Sequence, residues 1–305
     1  MITQEISQYI KHQAIEIGFD ACGIAKAEPL PDDAIHLQNW LHAGFHAGMN
    51  YMENNFEKRT DPSKLVEGSK SVVVVLLNYF PSNYPFNEKP IKITRYALGQ
   101  DYHIIIKEKL KKLFNKIKET EPSIKGRVFV DSAPVLERRL AQKAGLGWIG
   151  KNSMLISKQF GSFCFIGELF LNMELEYDVP FGRNHCGTCQ KCITFCPTKA
   201  IVEPGFIDSG KCISYQTIEN KNPIPEDVKS KQNGWVFGCD ICQEACPWNS
   251  KAKQHNTPGF NPLETITSFS YENIAMLNEK EFDIKFKGSP LIRAGLNGLL
   301  KNMQV

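Results

Sequence analysis

The 305-residue sequence contains no long uninterrupted apolar run. The longest apolar stretch is about Val72–Leu77, whereas a membrane-spanning helix needs roughly 20 such residues. The N-terminal segment is amphipathic and acidic, and it lacks the basic start and continuous apolar stretch of a signal peptide. We therefore expect a cytoplasmic protein without a membrane segment.

Three further features are missing from the sequence. There is no strong charge of one sign, because 36 basic and 33 acidic side chains leave a formal net charge of +3, which permits a nucleic-acid partner without requiring one. No pattern recurs with a period of 20–50 residues, which argues against solenoids and propellers. The glycines Gly145, Gly147 and Gly150 do not form a GxGxxG motif that opens a helix after a strand, so no dinucleotide site is indicated.

Cysteine, in contrast, is abundant. Ten cysteines in a chain without an export signal favour metal binding over disulfides, because the cytosol keeps thiols reduced. The first run has the form Cx2Cx2CxxxCP, the spacing of bacterial ferredoxins, and its ligands are Cys186, Cys189, Cys192 and Cys196. In that motif three cysteines hold one 4Fe–4S cluster and the fourth holds the other cluster.

The second run is an incomplete copy of the first. It contains Cys239, Cys242 and Cys246 before a proline, and Val236 stands where the first cysteine would be. Cys212 lies upstream and can supply the missing ligand. The sequence therefore predicts two 4Fe–4S clusters with exchanged ligands. Cluster A takes Cys186, Cys189, Cys192 and Cys246, and cluster B takes Cys212, Cys239, Cys242 and Cys196.

Structural zinc sites are the alternative, since paired Cx2C motifs also bind zinc. Three cysteines at x2 intervals followed by Cys-Pro are a poor zinc pattern, which favours iron–sulfur. Cys22 and Cys164 remain outside both runs. Each lies in an apolar context and is expected in the core.

Periodicity predicts an α+β fold. Strands and helices alternate between about residues 70 and 145, which indicates an α/β-like layer with helices on both faces. Helices are predicted over residues 3–17, 31–43, 103–119, 134–144 and 289–303. Strands are predicted over 71–78, 91–96 and 127–130, with a hairpin formed by 154–157 and 163–172. We divide the chain into a domain at 1–175, a ferredoxin-like domain at 176–250 and a helical tail at 251–305.

Asp131 is the main candidate for acid–base chemistry. It follows a predicted strand and precedes a predicted helix, the position at which open α/β sheets place ligands. A carboxylic acid there can donate a proton if a dry pocket raises its pKa. The same position also suits a helix-capping residue, and position alone leaves both interpretations open.

Other polar candidates are weaker when taken singly. Arg59, Tyr96, Lys151 and Asn152 could contact a ligand, but each could equally be a surface or capping residue, and His103 alone is not a strong candidate. A series of lysines marks one face of the predicted helix at 103–119. It indicates either a solvated face or a surface that contacts phosphates.

Six segments together resemble epoxyqueuosine reductases, over more than three quarters of the chain. They are KRTDP (58–62), RYALGQDYH (95–103), DSAPVLER (131–138), GLGWIGKNSMLI (145–156), CGTCQKCITFCPTKAI (186–201) and GCDICQEACPWN (238–249). Many members of this family carry a HEAT-like helical extension, of which only a short version fits before Val305.

The resemblance implies a cobalamin-dependent oxidoreductase that acts on tRNA. Such an enzyme reduces epoxyqueuosine to queuosine at the wobble position of the anticodon, the last step of queuosine biosynthesis. The reaction takes up two electrons and two protons and releases water. The clusters would carry electrons from an external low-potential donor of the flavodoxin or ferredoxin type, and Asp131 would protonate the departing oxygen. A monomer is expected.

Cobalamin is implied by the resemblance alone, and so are the residues that would bind it. The pocket in the domain at 1–175 would be lined by Arg59, Tyr96, Asp131, Lys151 and Ser153. From the cluster side it would be approached by Ser214, Gln216, Thr217 and Asp240. Two alternatives remain at this point: a reductive dehalogenase, which also pairs cobalamin with two clusters, and a ferredoxin-like electron carrier.

Overall fold

The computed structural model describes residues 3–86 and 91–303. Its strands are β1 (Ala21–Lys26), β2 (Ser71–Asn78), β3 (Lys92–Ile93), β4 (Gly126–Phe129), β5 (Trp148–Ile149), β6 (Leu155–Ile156), β7 (Cys164–Leu171), β8 (Ile201–Glu203), β9 (Phe206–Ile207) and β10 (Trp235–Phe237). No helix in the described part of the chain is long and apolar enough to cross a membrane.

Fourteen α-helices accompany these strands in the same described residues. They are α1 (Thr3–Glu16), α2 (Pro31–His42), α3 (Phe56–Thr60), α4 (Pro62–Leu65), α5 (Tyr102–Thr120), α6 (Glu137–Lys143), α7 (Lys191–Phe195), α8 (Ile213–Ile218), α9 (Glu226–Lys229), α10 (Ile241–Glu244), α11 (Glu264–Thr267), α12 (Tyr271–Ala275), α13 (Glu279–Lys285) and α14 (Gly295–Met303). The α+β class is confirmed.

The main sheet has four strands in the order β1-β2-β7-β4, and every pair is antiparallel. Helices cover both faces as expected, with α1 and α5 on one face and α6 on the other. The sheet differs from a parallel α/β layer in its antiparallel strand directions. Its order also departs from the order of the strands in the sequence, because β7 lies between β2 and β4.

The apolar run of β2 is buried on both sides. Val73 and Val75 pack with α1 and α5, while Val72 and Val74 face α6. A central strand covered on both faces needs apolar side chains at every position, which explains its lack of alternation. The α6 helix approaches β1 so closely that a Cβ atom at Gly23 would lie 2.1 Å from the nearest backbone oxygen of the helix end.

A second core joins the tail to the cysteine-bearing part. Trp235 and Phe237 of β10, which pairs with β3, are buried together with Phe282 and Leu299 of the tail helices. The tail therefore packs against β10 and β3 rather than standing apart.

Several predicted elements differ from the structure. The hairpin at 154–157 and 163–172 is wrong, because β6 pairs with β5 while β7 joins the main sheet, and only the bridge between Ser157 and Gly161 remains. The helix predicted to begin at residue 134 starts at Glu137. The strand predicted at 91–96 is limited to β3 and is followed by a 3₁₀ turn, and β1 was not predicted.

The C-terminal helix predicted at 289–303 is divided in two. A 3₁₀ turn at Pro290–Arg293 precedes α14, and Gly295, the first residue of α14, has a φ of +72°. This break directs Arg293 toward the end of β4 in the main sheet.

Candidate active site and cluster-binding module

Asp131 lies in the turn that connects β4 to α6. Its φ is +54°, in the left-handed region that non-glycine residues seldom adopt. The backbone N–H of Asp131 donates a hydrogen bond of 2.6 Å to Glu137 Oε1, at the first residue of α6. Such a conformation costs about 1–3 kcal/mol, and this hydrogen bond helps to hold it.

Three side chains converge on Asp131 Oδ2. Tyr102 donates its hydroxyl at 2.9 Å, His103 Nε2 lies at 3.3 Å, and Arg293 Nη1 lies at 3.6 Å. Burial by itself would raise the pKa of Asp131, but the bonds from His103 and Tyr102 and the charges of His103 and Arg293 lower it. The Asp131 side chain is 42% exposed and its pKa is lowered, so the dry pocket and raised pKa that proton donation by this carboxyl would require are not present in this state.

His103 lies between two carboxylates. Its Nδ1 is 2.7 Å from Asp101 Oδ1, and Asp101 also caps α5 by accepting the backbone N–H of His103. Burial lowers the pKa of His103, yet the hydrogen bonds and charges of Asp101 and Asp131 outweigh it and raise the pKa to about 9. The imidazole is therefore a cation at neutral pH.

Two further carboxyl groups lie behind Asp131. Burial, reinforced by the charge of Asp131, raises the pKa of Glu137 to about 8. Glu168 on β7 is fully buried, and burial together with the nearby Glu137 raises its pKa well above the usual value. At neutral pH this pair retains protons.

Aromatic rings form one wall of the site. Tyr102 stacks on Phe165 with a centroid distance of 4.1 Å and an angle of 7°, and Tyr96 meets Tyr102 edge-on at 6.0 Å. Burial raises the pKa of Tyr102 above its ordinary value, so its hydroxyl stays protonated. The wall fixes the direction in which Tyr102 donates to Asp131.

The eight cysteines of the two runs form two spatial groups. Electrostatic contacts link Cys192 to Cys186, Cys189 and Cys246, and they link Cys246 to Cys186 and Cys189. One cavity is lined by the same four cysteines together with Trp248 and His185. The thiol of Cys246 therefore lies with the first run, although it belongs to the second run in sequence.

The other four thiols are also near one another. Cys212 lies within electrostatic range of Cys196, and Cys239 lies within range of Cys242 and Cys212. Cys242 lies within range of Cys212 and Cys196 first and of Cys192 in the other group last. Across residues 3–86 and 91–303, no three Cys, His, Asp or Glu side chains converge as a single-ion site.

Backbone N–H groups point at several of these sulfurs. Ala200 donates to Cys196 Sγ at 3.3 Å, the amides of Ser214 and Tyr215 face Cys212, and those of Trp248 and Asn249 face Cys246. Hydrogen bonds to cluster sulfurs are one of the means by which proteins set the potential of iron–sulfur centres.

Arg59 has unused hydrogen-bonding capacity. Its guanidinium is buried, donates from Nη2 to the Tyr51 carbonyl at 3.2 Å, and leaves Nε without a partner. Burial lowers its pKa, and Tyr51 lies within electrostatic range of Asp131 and Arg293. Arg59 thus contacts the segment that carries Tyr51 and offers a buried donor.

Lys151 and Ser153 lie in the loop between β5 and β6. Lys151 Nζ donates to the Gly187 carbonyl at 2.8 Å, and Ser153 Oγ donates to the Gly205 carbonyl at 2.9 Å. Both contacts join this loop to the cysteine module. The neighbouring Gly147 packs against its own hairpin, since a Cβ there would lie 2.3 Å from the carbonyl oxygen of the opposing β6 residue.

The residues predicted to approach the cofactor from the cluster side mostly make hydrogen bonds within the protein. Gln216 Nε2 donates to Gly210 at 2.6 Å, and Thr217 Oγ1 donates to Ile213 at 2.8 Å. Ser214 lies in α8, where its carbonyl accepts from Thr217.

Asp240 is also fully engaged. It accepts hydrogen bonds from Thr94 and from Arg95, whose Nη1 lies 3.0 Å from Oδ2. The side chains of Thr217 and Asp240 thus stabilise the interior, and the cofactor-binding role of all four candidates stays a prediction.

Sequence reasoning missed Tyr102, Glu137 and Arg293 and undervalued His103. The signal available in the sequence was that Tyr102 and His103 lie in the segment RYALGQDYH and Glu137 lies in the segment DSAPVLER. Arg293 is 162 positions from Asp131 (293 − 131 = 162), and no local pattern connects them.

Two family models match the chain. One, described as "Epoxyqueuosine reductase QueG, DUF1730", matches residues 59–132, and the other, described as "4Fe-4S double cluster binding domain", matches residues 185–249. The second match confirms the prediction of two 4Fe–4S clusters. The first covers Arg59, Tyr96 and His103 and ends just after Asp131.

Relatives and solved structures give the same family. An epoxyqueuosine reductase from Leadbetterella byssophila is 49% identical over 300 residues, which cover 98% of each chain. A crystal structure of epoxyqueuosine reductase with an epoxyqueuosine-modified tRNA-Tyr stem loop has a TM-score of 0.89 at 29% identity, covering 98% of this chain and 80% of that chain.

A Bacillus subtilis epoxyqueuosine reductase, solved with its aspartate-bearing catalytic loop swung out of the active site, has a TM-score of 0.88 at 28% identity, with 98% and 80% coverage. A catabolic reductive dehalogenase has a TM-score of 0.50 at 17% identity, which shows a related fold alone. The alternatives of a dehalogenase and a simple electron carrier are therefore not supported, and this chain belongs to the epoxyqueuosine reductase family.

Proposed function

We propose that this protein reduces epoxyqueuosine in tRNA to queuosine, and that Asp131 delivers a proton to the departing epoxide oxygen. The role of Asp131 is supported by one observation above all. Tyr102, His103 and Arg293 converge on one of its carboxylate oxygens, just after the end of β4. In the Bacillus subtilis relative, the catalytic loop likewise carries an aspartate.

The reaction sets the requirements for this site. Both C–O bonds of the epoxide break, a C=C bond forms, and the oxygen leaves as water after taking up two protons, while two electrons enter. The protein must therefore supply protons at the oxygen and electrons at the carbon. Asp131 and its cationic neighbours form the proton-delivering side.

Electrons pass through two 4Fe–4S clusters. We assign Cys186, Cys189, Cys192 and Cys246 to cluster A and Cys212, Cys239, Cys242 and Cys196 to cluster B. The grouping of the thiols by proximity supports this crossed assignment. An external low-potential donor, of the flavodoxin or ferredoxin type, supplies the electrons.

Cobalamin is the further cofactor that we propose, because its corrin amides and phosphate require buried donors. The unpartnered Nε of Arg59 fits this demand, whereas Lys151 and Ser153 would have to exchange their present carbonyl partners for the cofactor. Tyr96, Ser214, Gln216, Thr217 and Asp240 complete the proposed surroundings. When bound, cobalamin supplies a low-potential metal centre capable of two-electron reduction.

We further propose a cytoplasmic monomer that works on tRNA. The proposed functional units are the cobalamin-binding domain at 1–175, the ferredoxin-like domain at 176–250 and the tail at 251–305. The exposed lysines of α5 offer a basic surface, since the apolar face formed by Ile106, Leu110, Leu113 and Ile117 is buried. The crystallised complex of a relative with a tRNA stem loop supports a tRNA substrate.

Replacement of Asp131 by asparagine tests the acid assignment. Asp131→Asn keeps the shape of the side chain and removes the proton it can carry, so we expect a fall in turnover of about 10²–10⁴-fold. The enzyme is loaded with both clusters and cobalamin, and queuosine is measured by mass spectrometry in digests of epoxyqueuosine-containing tRNA.

The matched control is Asp32→Asn, which alters an exposed aspartate in the first turn of α2. It should leave turnover unchanged. Equal iron content in the two variants shows that the clusters are intact. Wild-type turnover in Asp131→Asn would remove Asp131 from the mechanism.

A further inference from the structure

We propose that His103 stores the proton that Asp131 delivers, so that Asp101, His103 and Asp131 form a proton relay. The inference deepens the proposed function and rests on it for the identity of the proton acceptor. His103 acts through Asp131 and is thus a positioning residue that also carries the proton.

The geometry requires a cationic imidazole. Nδ1 lies 2.7 Å from a carboxylate oxygen of Asp101, and Nε2 lies 3.3 Å from a carboxylate oxygen of Asp131. A neutral imidazole has one N–H group and can donate to only one of these two acceptors. The pKa values of Asp101 and Asp131 are both lowered, so both carboxyl groups are ionised and can only accept. The two hydrogen bonds then exist together only if both ring nitrogens are protonated.

The surroundings add charges of both signs. The first turn of α5 disfavours a cation, because the helix dipole is positive there. Arg293, from the tail, brings a second positive charge to Asp131 and is itself bound to Glu219 at 2.9 Å. The two carboxylates in direct contact with the ring outweigh these effects, and they raise the pKa of His103 to about 9.

The remaining titratable neighbours are also defined. Tyr102 donates to the same oxygen of Asp131 and stays protonated, while Glu137 accepts the backbone N–H of Asp131. Tyr96 is partly buried and meets Tyr102 edge-on, and burial raises its pKa as well. Tyr102 lies closer to Asp131 Oδ2 than His103 does, at 2.9 Å against 3.3 Å, but burial keeps the Tyr102 hydroxyl protonated, so His103 is the cationic neighbour that can release a proton to this oxygen.

The relay resolves a conflict within the site. Asp131 is ionised in this structure, and a carboxylate has no proton to give. Transfer from His103 Nε2 to Asp131 Oδ2 breaks an N–H bond and forms an O–H bond, after which the proton passes to the epoxide oxygen. No electrons move in this step, since they arrive from the external donor through the clusters.

Substrate binding favours this transfer. A substrate that reaches Asp131 displaces water from its exposed side, and this desolvation raises the pKa of Asp131 and brings it closer to that of His103. His103 is 26% exposed and can recover a proton from solvent for the second protonation.

The first test measures the protonation of His103 directly. The holoenzyme is labelled with ¹⁵N-histidine and titrated by NMR, and the His103 signals are identified by their loss in His103→Gln. We expect a pKa near 9 in the wild type and a value lower by at least one pH unit in Asp131→Asn. A wild-type pKa at or below the ordinary histidine value of about 6.5 would overturn the relay.

The second test uses the pH dependence of single-turnover reduction. The wild-type rate should be constant at neutral pH and fall as the pH rises through about 9, where His103 loses its proton. His103→Gln preserves an amide donor toward Asp131 but cannot titrate, so it should be at least about tenfold slower and lack this fall. His12→Gln, at an exposed position of α1, is the control and should match the wild type.

The outcomes separate the two proposals. A fully active His103→Gln with an unchanged pH profile would show that His103 only positions Asp131 and would refute the relay. A His103 pKa near 9 combined with a fully active Asp131→Asn would instead refute the proposed role of Asp131 in delivering the proton.

Discussion

Replacement of Cys246 by alanine tests the crossed assignment of cluster ligands. The thiol of Cys246 lies near Cys186, Cys189 and Cys192, and its pKa is raised by burial and then by those thiols. In sequence, however, it belongs to the run of Cys239 and Cys242. The variant should therefore damage cluster A and spare cluster B.

The expected loss of iron follows from the grouping of the cysteines into two sets of four. Each cluster contains four iron atoms, so loss of one cluster lowers the iron content from about eight to about four atoms per chain. Cys246→Ala alone cannot identify which cluster was lost. Double variants can, because two substitutions at one site do not add, whereas substitutions at separate sites do.

Iron and acid-labile sulfide are therefore measured in two double variants, with circular dichroism as the check on folding. Cys246→Ala combined with Cys189→Ala should retain about four iron atoms, since both residues belong to cluster A. Cys246→Ala combined with Cys242→Ala should retain almost none. Cys22→Ala, in the core beside β2, is the control and should keep both clusters. The reverse pattern in the double variants would refute the crossed sets.

Two other predictions concern substrate binding and the buried ion pair. Affinity for epoxyqueuosine tRNA should fall about tenfold or more between about 50 and about 200 mM salt in a binding titration, and a flat dependence would contradict phosphate contacts. Arg95→Met should destabilise the fold by about 3–5 kcal/mol and lower the thermal midpoint, because it leaves the buried Asp240 without its cation. Lys64→Met, which removes an exposed pair with Glu57, should leave the midpoint unchanged.

The cluster module could be predicted from sequence because its information is local. Three cysteines at x2 intervals place their thiolates around one small object, whatever the rest of the chain does. The continuous apolar run of β2 is similarly informative, since a strand covered by helices on both faces has no solvent side. Both predictions depend on spacings of a few residues.

Strand pairing could not be predicted in the same way. β7 was expected to form a hairpin with its neighbour in sequence, but Val74 of β2 and Phe129 of β4 lie opposite its Glu168. The long apolar β7 buries far more surface in the centre of the main sheet than in a local hairpin with the two-residue β6. Burial over the whole strand outweighed proximity in the chain.

The protonation state of Asp131 could not be predicted from its neighbours in the sequence either. Its place at the end of a strand was predicted correctly, whereas the sequence left the direction of its pKa shift open. The groups that lower the pKa lie 29 and 28 residues away on α5, and a third comes from the tail. A burial argument without these partners gives the wrong sign.

Arg293 links the three proposed domains through ion pairs. It binds Asp131 at 3.6 Å and Glu219 at 2.9 Å, so a residue of the tail joins the turn after β4 to the end of α8. The helix α8 begins directly after Cys212, a proposed ligand of cluster B. The proposed boundaries at 175 and 250 therefore describe units of sequence pattern, while the electrostatics of Asp131 depend on all three. A chain cut at residue 250 would lose the Arg293 charge that helps keep Asp131 ionised in the free protein.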